Sequence, residues 1–484
     1  MAQPGHAVMA VGSGGELGGV RRNLGVPLAV ILAGAVWFMA APKGLSLEGQ
    51  RALALFAGVF VLYLTEAIPL AVTSLMVVPA AVFMHVANVR VALDGFSSAS
   101  TYLIVAAFIL ATAMVKTGLA ERITYLILLK TGCSPARITL GVTLANIVLA
   151  FLVPSATART ALLLPMCLSI LSLFGSGGRS KFAVSLLLIL AFTNATIGAG
   201  ILTATVPNPV TVEFLAKTGR TVTYTDWLLY GFPPALLMTL LTWWFVQRIY
   251  REKRDDLQEG VDRIIREKLA AMGKTTPAEW RALSVFLLVT LLWATQNWTR
   301  FDTTVVALLG DCLLFLPGFG VLEWGDAHKG VSWQVVLVCG GGVSLGDILM
   351  RTGAAKWVAV SIFRLLGIQG ASTLLILIVV MFILQYMHVL FVGTTAMATA
   401  ILPIVLAMAE AAHVNPMVLA LPAGMIVGGY PLLMFYNTLP NIIVYGTGKL
   451  RVGDFPRVGV PLCAAACIVY AICAATYWRW LGLF

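Results

Sequence analysis

The sequence predicts an all-α integral membrane protein of about eleven transmembrane helices plus two re-entrant hairpins, arranged as an inverted repeat. Three observations carry that prediction. Apolar runs long enough to cross a bilayer recur from Val26 to the C-terminus, three polar motifs each occur twice in the same order, and the basic residues fall into one set of loops.

The apolar runs come first. Of 484 residues, 60% are apolar and 11% charged, with a mean hydropathy of +0.93. That balance leaves more apolar surface than a soluble globule could hide from water, so lipid is the expected solvent. About twenty apolar residues span a bilayer as a helix. Roughly eleven such spans fit, joined by short polar or Gly/Pro segments, and two further apolar stretches look too broken to cross.

The net charge of +11 raises the question of nucleic acid, and its placement answers it. Arg21, Arg22, Lys130, Arg137, Arg179, Lys181, the segment Arg248 to Arg281, Lys329, Lys449, Arg451 and Arg457 fall into one set of loops. The positive-inside rule makes those loops cytoplasmic in an inner membrane, with the N-terminus cytoplasmic and the C-terminus on the opposite side. Between Arg251 and Arg281 seven acids nearly balance the bases, which reads as a solvated amphipathic helix and not as a nucleic-acid surface. The seven cysteines lie mostly in apolar runs without a CxxC pair and read as small hydrophobes.

The chain divides accordingly. Residues 1–24 are predicted to be a disordered cytoplasmic N-terminus, 25–250 the first helix and first repeat, 251–280 a cytoplasmic amphipathic linker, and 281–484 the second repeat. Arg21-Arg22 before the run Leu24 to Ala41 resembles a secretion signal, yet the run is long enough to span and reads better as a retained anchor.

The repeat rests on matched punctuation. Met114-Val115-Lys116-Thr117-Gly118 answers Leu349-Met350-Arg351-Thr352-Gly353 at an offset of 235. Val153-Pro154-Ser155-Ala156-Thr157-Ala158-Arg159 answers Phe391-Val392-Gly393-Thr394-Thr395-Ala396-Met397 at 238, and Thr205-Val206-Pro207-Asn208 answers Thr438-Leu439-Pro440-Asn441 at 233. Five spans per half after an extra first helix would turn the second copy upside down.

Pro154-Ser155-Ala156-Thr157 interrupts two apolar arms, Ile138 to Val153 and Ala161 to Phe174, each short for crossing, so a re-entrant hairpin over about 137–174 is expected. Its partner runs over about 371–410. Hydroxyls and freed N–H groups at such tips, beside helix N-termini, make an anion site. A proline kink whose Ser and Thr bond their own helix is the competing reading. The Thr-x-Pro-Asn motifs read as unwound joints of discontinuous helices, about 198–208 and 430–441. There proline removes a donor, and Asn208 and Asn441 offer both a donor and an acceptor.

These tips, together with Thr65-Glu66-Ala67-Ile68-Pro69, Lys116-Thr117-Gly118 and Asn441 to Lys449, resemble the divalent anion/sodium symporter family, solute carrier family 13, over roughly residues 50 to 480. The resemblance implies a homodimer whose transport domains move like elevators against a scaffold, carrying dicarboxylates, tricarboxylates or sulfate, some members by sodium-independent exchange. The family's tips usually read Ser-Asn-Thr and bind substrate carboxylates beside sodium. Here the first keeps Ser155 and Thr157 but has Ala156 for the amide, and the second has Gly393 and Thr394 before Thr395; Ala204 replaces a glycine the family prefers.

Ser155, Ala156, Thr157, Asn208, Gly393, Thr394, Thr395 and Asn441 are therefore the candidate substrate site. Arg159 joins them as a countercharge that would favour exchange, since a charge at membrane depth is costly unless paired or facing a cavity. Its alternatives are snorkelling or pairing with backbone carbonyls. Thr205, His388 and Thr438 are candidates for an ion or countercharge, with an ordinary interior histidine equally open for His388. Lys116 with Glu121 and Asp347 with Arg351 read as scaffold pairs. No cofactor is expected; sodium is an open possibility as coupling ion. An enzyme would need a catalytic constellation, and the five histidines form none. A channel would need a continuous pore, which paired midplane breaks do not suggest. The prediction is a carrier of small di- or trivalent anions by exchange, with sodium symport as the alternative and a passive anion channel as the rival from another class.

Overall fold

The computed structural model describes residues 16–40, 42–173, 178–252, 258–368 and 370–483, and every regular element among them is helical. A first helix, α1 (Glu16–Phe38), precedes two matched sets. The first set is α2 (Leu47–Thr65), α3 (Leu70–Phe83), α4 (Val89–Leu93), α5 (Ala99–Lys116), α6 (Leu119–Thr131), α7 (Pro135–Leu152), α8 (Ala156–Leu173), α9 (Lys181–Gly198), α10 (Pro207–Lys217) and α11 (Tyr224–Ile249). The linker carries α12 (Gln258–Ala271). The second set is α13 (Pro277–Ala294), the short α14 (Gln296–Thr299), α15 (Thr303–Leu314), α16 (Trp324–Gly330), α17 (Trp333–Arg351), α18 (Ala354–Leu366), α19 (Thr373–Met387), α20 (Thr394–Ala411), α21 (Pro416–Gly429), α22 (Leu439–Tyr445) and α23 (Asp454–Ala475), followed by α24 (Tyr477–Trp480).

Among the described residues eleven helices are long and apolar enough to cross a membrane, and the arms of both hairpins are among them. Setting the arms aside and adding the shorter apolar helices α1, α3, α15 and α21 again gives eleven spans around two hairpins. The first hairpin's arms are each 18 residues, Pro135–Leu152 and Ala156–Leu173, longer at their starts than the sequence predicted. The reason is local: Pro135 is well placed to open a helix, and Ala156 continues directly from the Pro154-Ser155 break. The helix α1 likewise begins at Glu16, ahead of the boundary at 25, while the disorder expected for residues 1–15 lies outside the described residues.

The repeat is geometric as well as textual. The helices α6 and α18 are each 13 residues long and lie between left-handed glycines, Gly118 and Gly132 in one half, Gly353 and Gly367 in the other. Both pairs are related by the offset of 235. Glycine suits these corners because a Cβ at positive φ costs about 1 kcal/mol or more.

Ion pairs report the alternation of helix directions. Lys116–Asp326 (2.6 Å), Arg122–Glu279 (3.0 Å) and Arg179–Asp454 (2.8 Å) join ends that an up-and-down threading puts on one face. Lys217–Asp94 (3.3 Å), Lys217–Asp347 (3.2 Å) and Arg351–Asp347 (2.6 Å) join ends on the other. The second copy is therefore inverted. Asp347 pairs with Arg351 as expected, but Lys116 does not pair with Glu121. Glu121 instead accepts the Tyr125 hydroxyl at 2.6 Å, and the Lys116 stem reaches across to the capping residue Asp326 of α16.

Candidate functional site at two helix breaks

Both discontinuous helices are held open by an asparagine. In the first half α9 ends at Gly198, eight residues run in turns, and α10 restarts at Pro207. The Asn208 Nδ2 donates to Gly198 O and Ile201 O, both at 2.8 Å. In the second half α21 ends at Gly429 and α22 restarts at Leu439, with Pro440 in its first turn and Thr438 as N-cap. There Asn441 Nδ2 donates to Pro431 O at 2.9 Å and Met434 O at 3.0 Å. In each half the accepting carbonyls stand ten and seven residues before the asparagine. Each amide satisfies two carbonyls released by the unwinding, which is why backbone without helical bonds persists at this depth. Both asparagines have 0% exposure, and the Oδ1 of each has no hydrogen-bond partner among the described residues.

The two joints meet. A Cβ on Gly429 would collide with Ala199, and one on Gly428 would lie 2.8 Å from Thr205 Cγ2 and 3.1 Å from Asn208 Oδ1. These glycines are close-packing points where the halves cross. Each hairpin tip packs on the joint of its own half. Residues 155–158 and 392–395 are half-buried in both tips, so Ser155, Ala156, Thr157, Gly393, Thr394 and Thr395 keep an accessible edge. Pro154 lines a narrow cleft with Thr203, Thr205 and Val206, closed on its far side by Leu103, Ile104 and Phe108 of α5.

Arg159 is fully buried and does not snorkel. Its Nη1 donates to Val153 O (2.7 Å), Nε to Asn194 Oδ1 (2.6 Å) and Nη2 to Asn194 O (3.3 Å). Asn194 in turn donates through Nδ2 to Ala156 O and Thr160 Oγ1, both at 2.7 Å. The pair thus holds the carbonyls on both sides of the Pro154-Ser155 break, and no carboxylate lies within ion-pair distance of the guanidinium among the described residues.

The second tip is clasped differently. Asn437 Nδ2 donates to His388 O (2.6 Å) and Phe391 O (3.1 Å), and its Oδ1 accepts Met434 N (2.7 Å). The His388 ring nitrogens face Gln385 O (3.0 Å) and Val427 O (3.1 Å), an interior position with 2% exposure. Val427 stands 233 residues after Asn194, so the two halves anchor their tips at equivalent points with unlike side chains.

Asn194, Asn437, Thr203 and the α5 wall were not singled out by sequence reasoning. Asn194 had a signal: a lone amide inside a run from Phe182 to Gly198 that is wholly buried. Asn437 and the wall had none, because nothing in the sequence brings them to a tip.

Paired breaks, inverted halves and crossed discontinuous helices together define a secondary membrane transporter. The chain belongs to the family described by the sodium:sulfate symporter transmembrane region, whose profile matches residues 21–484. A membrane protein of Cupriavidus necator is 30% identical, covering 91% of this chain and 89% of that one. The sodium-dependent dicarboxylate transporter SdcS of Staphylococcus saprophyticus is 28% identical over 91% of this chain and 88% of its own length, and that of Staphylococcus aureus NCTC 8325 27% over 89% and 86%. Two solved structures share the fold at 12% identity. Neisseria gonorrhoeae MtrF matches with a TM-score of 0.57, covering 97% of this chain and 96% of its own. The Alcanivorax borkumensis YdaH transporter matches with 0.51, covering 96% and 98%.

Proposed function

We propose that the chain carries small dicarboxylates across the membrane by alternating access, coupled to sodium as a co-transported cargo. The observation that carries the coupling is the pair of buried, unpartnered Asn208 and Asn441 Oδ1 atoms, each beside carbonyls freed by unwinding. Oxygen acceptors without protons suit a hard cation, and unwound carbonyls are the usual ligands of sodium in such folds. Ser155, Thr157, Thr394 and Thr395 are the substrate donors in this reading, at the N-termini of α8 and α20, where helix dipoles favour carboxylates. The staphylococcal relatives' dicarboxylate names support the substrate class. The reading includes a homodimer of moving and fixed units in the inner membrane, with the N-terminus cytoplasmic on the placement of the basic loops.

A second reading, obligate exchange of di- or tricarboxylates, is favoured by one observation: Arg159 places a positive charge behind the first tip without a carboxylate partner. The experiment is uptake of labelled succinate and citrate into reconstituted vesicles. Symport gives uptake into empty vesicles driven by an inward sodium gradient. Exchange gives uptake only into vesicles preloaded with anion, sodium or not. Uptake that neither saturates nor responds to anion on the far side would mean a channel and end both readings.

A further inference from the structure

A carboxyl group that the site does not use stands on α15. The buried face of this helix runs through Thr303, Ala307, Gly310, Asp311 and Leu314, seated on α5 and α13. A Cβ on Gly310 would collide with Val289 and lie 3.4 Å from Leu110 and 3.7 Å from Val285, so the layer at this turn is close-packed and aliphatic. Leu110 is six residues, about 9 Å, before Lys116, and Val285 eight residues, about 12 Å, past Pro277. Asp311, next to Gly310, is 4% exposed, and neither of its oxygens has a hydrogen-bond partner among the described residues. The charged groups on the two packed helices are engaged elsewhere. Lys116 of α5 pairs with Asp326, Glu279 of α13 with Arg122, and Arg281 of α13 holds the carbonyls of Gly318 and Phe319. Tyr102 of α5 is half-exposed at the other end of the layer, where Asp302 caps α15. Cys312, and His328 and Lys329 of α16, are exposed.

An ionised carboxylate buried without a partner costs far more than one that has taken a proton from water. A metal cation in the proton's place would need several further oxygens. None is free here, because α5, α13 and α15 are unbroken helices whose carbonyls serve their own ladders. We propose that Asp311 is a proton-binding site, filled while α15 is seated on α5 and α13, and that release of the proton loosens that seat. One O–H bond forms on a carboxyl oxygen with a proton from water and breaks on release, so the layer passes between no charge and one negative charge. Leu103, Ile104 and Phe108 of α5 close the cleft beside Pro154, so loosening of α15 reaches the wall of the first tip's cleft. The site is independent of which anion is carried and of the coupling ion.

The test compares the unaltered protein with Asp311→Asn, which keeps the shape of the protonated acid and cannot ionise. Infrared spectra of both in lipid at neutral pH come first: the carbonyl band of a protonated carboxylic acid should be present in the unaltered protein and weaker by one group in the variant. Melting then follows as a function of pH. The folded chain holds one proton more than the unfolded chain, whose carboxyl is ionised above about pH 4. Stability therefore falls as pH rises, by about tenfold in the folding equilibrium per pH unit until the folded chain releases its proton. Asp311→Asn should fold, take up succinate at neutral pH, and lack that part of the fall in both melting temperature and uptake. Identical infrared spectra, meaning an ionised Asp311, overturn the proposal. So does a variant that fails to fold at neutral pH, since a neutral isostere then cannot replace the carboxyl, and so do melting and uptake profiles that run parallel in the two proteins.

Discussion

Replacing Asn194 by alanine should disable transport from a fully buried position behind the first tip. The change removes the acceptor of Arg159 Nε at 2.6 Å and both donors, to Ala156 O and Thr160 Oγ1 at 2.7 Å, from a site without solvent. A hydrogen bond to a charged group contributes about 1.5–3 kcal/mol and each neutral one about 1, so the loss is about 3–5 kcal/mol. Part appears as lower stability. The rest appears as disorder of the Pro154-Ser155 break, whose flanking carbonyls Val153 O and Ala156 O lose their fixed partners. A displacement of about 1 Å at a positioned group can cost about 100-fold in rate; uptake in reconstituted vesicles should fall at least about 10-fold with a lower apparent melting temperature. Asn194→Asp keeps the acceptor but loses both donors and neutralises the guanidinium. It should therefore stay folded yet transport poorly. Normal uptake and melting in Asn194→Ala would refute the reasoning.

Other outcomes follow from the packing. Gly459→Ala drives a Cβ into the carbonyl of Leu432 in the second unwound segment, and backbone cannot give way as a side chain can; succinate uptake should be lost with membrane insertion retained. Arg122→Met strands the buried Glu279, which the arginine holds through two nitrogens, and releases the carbonyls of Met272 and Gly273. It should destabilise by about 3–5 kcal/mol in thermal unfolding, and the double variant with Glu279→Met should recover most of that. Gly353→Ala meets nothing in space but keeps a φ of +74°; a cost of only about 1 kcal/mol is expected, read as a small drop in melting temperature.

Much of this was legible in the sequence, for identifiable reasons. Lipid imposes an apolar pattern on every span, so the helices announce themselves, and duplication writes each break twice, which is how Ser155, Thr394, Asn208 and Asn441 stood out. Constraints in three dimensions were not legible. That Lys116 would reach Asp326, 210 residues away, depends on α16 lying beside the end of α5. Arg159 was visible as an unusual charge, but its pairing depended on Asn194, 35 residues further on and one side chain among a wholly buried helix. The crossing of the two joints at Gly428 and Gly429 was hidden because glycines serve too many purposes for any one to be read.

The central claim is that the paired helix breaks enclose a dianion between them. The most direct measurement is a structure of the protein in lipid nanodiscs with succinate and sodium. Density for one carboxylate at the Ser155–Thr157 tip and the other at the Thr394–Thr395 tip is the predicted result. Succinate bound elsewhere, with both tips packed against hydrocarbon or against helices without ligand, would contradict it.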